Sequence, residues 1–274
     1  MAENNKKHSH LGTIKFIAIL TVLVILFLFL GYTASKGFVN KINFERDVLN
    51  IAEKNEEQVF TIDNITFFSS CNADAEVNSN TSLQINNLYQ YTDIAIFINP
   101  VDDELNYKNT IKELYIDNIN YSQSPTVGTP QLYYKNINEF ATPKFLEENK
   151  VNDSLHFNIT SEDSADLSTA TLYNNCANPI TLTYVNNNIK TDYSIEGTES
   201  ALTYDGSLLK KCGVTLSSIE TSISFNINIV NNLDQKFICP VYFKIPLESE
   251  DGTSIYDGKV LLKDDVNYNF FRYV

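Results

Sequence analysis

From Phe16 to Leu30 the chain reads FIAILTVLVILFLFL, without a single charge. Few soluble folds accept such a run, because a helix on the surface of a soluble domain keeps a polar face and this one has none. Taken from Ile14 to Tyr32, the segment is about nineteen residues, roughly 28 Å of helix, which matches a bilayer core. Its Leu, Ile, Val and Phe side chains favour insertion by about 4 to 8 kcal/mol. A transmembrane helix over 14–32 is therefore expected. A cleaved signal peptide is the rival, but its apolar run is about seven to fifteen residues and ends on small residues. Thr33-Ala34-Ser35 matches a cleavage site only weakly, so a signal-anchor is preferred.

Positive charges flank both ends: Lys6, Lys7 and Lys15 before the run, Lys36, Lys41 and Arg46 after it. The count alone does not orient the helix. A short tail inside and a long body outside is the preferred arrangement. The expected organisation is a cytoplasmic tail (1–13), a transmembrane helix (14–32) and a charged stalk (33–58). One or two β-sandwiches follow: two lobes over 59–145 and 153–274, with residues 137–149 read as a linker, are preferred, and one large sandwich is the alternative.

The body reads as all-β and immunoglobulin-like. Ser222–Val230 is the cleanest strand: Ile223, Phe225, Ile227 and Ile229 alternate with Ser224, Asn226 and Asn228. Asn231-Asn232-Leu233-Asp234 then predicts a hairpin turn onto Lys236–Ile245. Pro240 within that partner points to an edge or a bulge. Asp93–Ile98 is a compact apolar strand, Asn72–Asn80 an Asn/Ser-rich loop, and Val214–Ile219 a further strand.

The chain of 274 residues carries a formal net charge of −14, which repels nucleic acid, so none is expected as a partner. Heavy use of Asn, Ile and Lys points to an AT-rich, bacterial genome. Cys71, Cys176, Cys212 and Cys239 all lie in the body. Outside the cytoplasm they permit two disulfides, with Cys71–Cys176 and Cys212–Cys239 the preferred pairs, or four buried thiols. None of the spacings suits zinc.

Catalytic patterns are scarce. His156 is the only histidine of the body and would have to serve any Ser-His-Asp triad. No Gly-X-Ser-X-Gly elbow and no Gly-rich phosphate loop occurs. The acidic clusters Asp102-Asp103-Glu104, Glu147-Glu148 and Asp264-Asp265 read as solvated turns. Glu248, Glu250 and Asp251 before Gly252 resemble the start of a calcium loop, but its later bidentate Glu is missing. No catalytic residue and no cofactor is expected.

A Lys-rich leader, Gly12, an apolar helix and a β body also stand in the order of type IV pilin-like proteins. Ile17 occupies the place of their Glu, and Gly31 and Gly37 interrupt the spine helix. The expected function is a single-pass, membrane-anchored extracytoplasmic β-sandwich of a bacterium. It would act as a non-catalytic surface or envelope interaction module, with a protein partner or a second copy of itself. An extracytoplasmic hydrolase with carboxylates from distant loops and a pilin-like envelope component are the alternatives.

Overall fold

The computed structural model describes residues 12–28, 31–32, 58–79, 82–161, 166–197, 202–250, 252–262 and 268–273. Two units are present, residues 1–56 and 57–274. In the first, α1 covers residues 12–28 and residues 31–32 are again helical. Every residue from 12 to 28 is exposed. Among the described residues no helix is long and apolar enough to cross a membrane. The expected stalk falls almost wholly outside the described residues, as does the tail.

Residues 57–274 are mostly strand and form two sheets; strands make up 53% of the described residues, which places the chain in the all-β class. The first sheet is built on β1 (Phe60–Ser79) and β2 (Ser82–Pro100), an antiparallel hairpin about 66 Å long at roughly 3.3 Å per residue. It continues through β8 (Ile180–Lys190), β4 (Thr129–Tyr134) and β5 (Lys150–Val151). β12 (Gly258–Leu262) pairs with the other side of β1, and β9 (Tyr193–Glu196) with the start of β2. The second sheet runs β13 (Phe271–Tyr273), β11 (Lys236–Ile245), β10 (Thr221–Asn231), β3 (Ile111–Gln123), β6 (Leu155–Thr160), β7 (Thr171–Tyr173).

This order corrects the division into lobes 59–145 and 153–274. β8 of the second half lies between β2 and β4 of the first, and β3 of the first half pairs with β10 of the second. Each sheet draws on both halves, so neither half could bury its own face alone. The expected disulfide pairs fail for a related reason. All four cysteines are buried free thiols, Cys176 and Cys239 in one apolar core and Cys71 and Cys212 in another. Each preferred pair would have had to join two separate cores.

The larger core fills the space between the sheets. Ile94, Ile96 and Ile98 of β2 and Leu182 of β8 meet Phe225, Ile227 and Ile229 of β10 and Val241 and Phe243 of β11. Phe67 packs edge-on to Phe243 at 5.2 Å, bridging the two layers. The alternation expected in β10 is present, and the hairpin register pairs Phe225 with Val241. Asp234 closes the turn at φ 58°, a left-handed backbone that Asp tolerates. Pro240 sits where β13 has ended, since β13 reaches only Ile238 of β11. Its missing N–H therefore costs no ladder bond.

The long hairpin overruns this core. Past a polar belt, where Gln90 Nε2 donates to Thr92 Oγ1 (2.6 Å) and the Ser69 and Thr92 hydroxyls share a hydrogen bond (2.8 Å), a second core begins. Leu83, Ile85 and Leu88 pack there against Ile195 of β9, Leu208 and Leu209 of α2 (Gly206–Lys211) and Ile219 of α3 (Leu216–Ile219). Asp205 caps α2 by accepting from Ser207 N at 2.9 Å. Two expectations change here. The Asn72–Asn80 loop is strand through Ser79, because β2 offers partners to residues 72–77 and to Ser79. The strand expected over 214–219 gives way to α3, whose Ile219 closes the second core.

Candidate functional site

The two sheets treat their outer faces differently. On β11 burial alternates with the pleat, so its outward side chains meet water. On β2, residues 88–96 are buried without a break, on both faces. The reason is the stretch expected to be a linker. Two 3-10 turns, Ile137–Glu139 and Glu147–Asn149, carry residues 135–149 across the outer face of the first sheet. Phe145 anchors it, with its ring 5.8 Å from Tyr89 and 5.1 Å from Tyr133.

Beneath that cover lies a buried ion pair. Asp93 points outward from the middle of β2, next to Thr183 of β8. Lys135 follows directly on β4, held to β8 by its carbonyl accepting from Thr181 Oγ1 at 2.6 Å. Its Nζ lies 2.8 Å from Asp93 Oδ1 and 2.9 Å from Oδ2, with side chains 1% and 0% exposed. The amine also donates to the Thr142 carbonyl and sits 5.2 Å from the centre of the Tyr91 ring. The carboxylate accepts from Ala141 N at 2.7 Å and from the Thr183 hydroxyl. Ala141 takes the left-handed conformation, φ 62°, to aim that N–H. For a residue with a Cβ this costs about 1–2 kcal/mol, and such strain concentrates where a fixed geometry is needed.

Burial dominates the electrostatics of the pair. It pushes the Asp93 carboxyl up, opposed by Lys135, Thr183 and Ala141, and pushes the Lys135 amine down, opposed by Asp93 and Glu139. Both neutral forms are favoured relative to water. Next to the pair, Thr66, Phe68, Ala95, Phe97, Phe140 and Lys259 line an apolar pocket of about 290 Å³.

No match to a known protein family, a curated protein or a solved structure was found for the chain.

The residues singled out in the sequence are scattered. His156 is exposed on β6 and stacks on Tyr115, ring centres 5.0 Å apart. Asp102, Asp103 and Glu104 are exposed on a turn. Glu147 and Glu148 lie on the cover, where Glu147 accepts from Tyr133 Oη at 3.2 Å. Asp264 and Asp265 lie outside the described residues. Glu248 and Glu250 are exposed on a β-turn that Gly252 N closes onto Ser249 O at 2.9 Å, and Asp251 lies outside the described residues. Among the described residues no group of three His, Cys, Asp or Glu could hold a metal.

Another hollow, about 580 Å³, is an open bowl lined by Lys210, Thr215, Glu220, Glu248 and Thr253. Its two carboxylates both answer Lys244, at 3.0 Å and 3.3 Å. The thiols are unreactive. Burial raises Cys176 and Cys239 to about 12 and Cys71 further, with the Cys71 thiol donating to Asp205 O at 2.7 Å.

The sequence did hold one sign of the buried pair: Asp93 directly precedes the apolar run 94–98. Its partner stands 42 residues later in an ordinary-looking strand end. Nothing local connects the two.

Proposed function

We propose that the chain is a single-pass, membrane-anchored protein of a bacterial envelope, with its sandwich outside the membrane as a non-catalytic interaction module. The observation that carries this reading is α1. Its uninterrupted apolar run is exposed along its whole described length, and an acidic β body follows. So many large apolar side chains cannot stay in water. At about 25 cal/mol per Å² of apolar surface they demand a lipid or protein environment. The immunoglobulin-like reading is kept only at the level of architecture, as two packed sheets presenting their edges and outer faces.

The contact surface we favour is the outer face of the second sheet at its β11–β13 edge. Tyr242 is 55% exposed, Phe271 48% and Tyr273 37%. Among the described residues no strand pairs this side of β11 beyond Ile238, where Tyr268 Oη accepts from Tyr242 N and donates to Tyr242 O. Aromatic side chains beside a short edge strand suit a protein partner or a second copy through strand addition or face packing.

The test is fractionation of cells with an alkaline wash, followed by protease on intact cells. The body should stay with the membrane and be cut from outside. Recovery in the washed soluble fraction, or protection of the body in intact cells, would overturn the reading.

A further inference from the structure

We propose that Lys135 and Asp93 join covalently, through an amide between Lys135 Nζ and Asp93 Cγ that staples β4 to β2 across β8. The starting point is contact. The amine touches both carboxyl oxygens, and both side chains are sealed from solvent beneath the cover.

Left as an ion pair, these groups bear a heavy desolvation cost that their attraction only partly offsets. The amide removes both charges from the interior. Burial supports the reactive forms, a free amine on Lys135 and a protonated carboxyl on Asp93. The pocket also holds the groups an acyl transfer needs. Ala141 N and the Thr183 hydroxyl donate to Asp93, where negative charge develops as the carbonyl is attacked. The Thr142 carbonyl accepts from Nζ and orients it. The strained Ala141 backbone keeps its N–H aimed before any reaction occurs.

The step balances without a co-reactant. Rotation about Asp93 χ2, a soft torsion, turns the face of the carboxyl toward the amine. The Nζ lone pair attacks Cγ and the Nζ–Cγ bond forms. The Cγ–Oδ1 bond then breaks, and the oxygen leaves as water with the carboxyl proton and one amine proton. Nothing is oxidised or reduced. Positioning of the two groups replaces the usual activation of the acid.

The test is the intact mass of the denatured full chain, extracted in detergent, beside the Lys135→Arg variant. Arginine keeps the ion pair but does not condense. Wild type should fall below its sequence mass by one water and the variant should not, and a protease digest should yield one branched peptide joining residues 93 and 135. A wild-type mass equal to the sequence, or a water loss mapped to any other residue, would overturn the proposal. Because the wild-type mass decides, a variant that fails to fold leaves the test intact.

Discussion

The outer faces of the two sheets are built from similar strands and have opposite fates. Over the first sheet, Tyr89, Tyr91, Tyr133 and Val185 are sealed by residues 135–149. Over the second, Tyr242, Phe271 and Tyr273 stand in water. Strand composition does not decide which happens, since tyrosine serves both faces. The difference lies in a connection. The chain leaving β4 returns across its own sheet, while the chain leaving β11 through its Pro246 side runs to a turn and an edge strand. One face becomes a site for buried chemistry, the other a surface for contact.

Lysine substitution should break this comparison most strongly. Lys135→Met leaves Asp93 alone beneath the cover and should cost about 3–5 kcal/mol in chemical denaturation. The sign of its pH dependence follows from the raised Asp93 carboxyl. The native variant holds a proton that the unfolded chain releases above about pH 3.9. Its stability should be greatest below that value and fall as pH rises, by about 1.4 kcal/mol per unit, until the native carboxyl ionises. The wild type, its carboxyl consumed in the proposed amide, should lack that slope.

Tyr133→Ala comes next, at about 3 kcal/mol, because it opens a cavity under the cover. Phe145→Ala should cost about 1–2 kcal/mol and, more tellingly, speed hydrogen exchange at Ala141 N without affecting β10. Smallest is Tyr242→Ala on the open face, within about 0.5 kcal/mol. If that face binds a partner, the same variant should lose the partner while keeping its stability, which sharpens the contrast between a structural and a recognition tyrosine.

Much of this contrast was illegible in the sequence, for physical reasons. β10 was readable because its core face is apolar and its half-buried outer face is polar, with Ser224, Asn226 and Asn228, so the pleat prints itself as alternation. The β10–β11 turn and the edge position of Pro240 were readable because Asn, Asp and Pro constrain their own backbone. β2 was read only in part, since burial on both faces erases the period. Residues 137–149 looked like a linker because irregular backbone carries no period whether it spans two domains or covers one sheet. α3 looked like a strand because Val214–Ile219 is too short for its periodicity to decide. The Asp93–Lys135 pair needed the sheet order β2-β8-β4, a non-local fact.

Hydroxyl-radical footprinting of the folded chain tests the covered and open faces most directly. The account predicts that Tyr89, Tyr91 and Tyr133 stay unlabelled while Tyr242 and Tyr273 react, and that the first group becomes reactive only on unfolding. Equal labelling of the two groups in the native protein would contradict it.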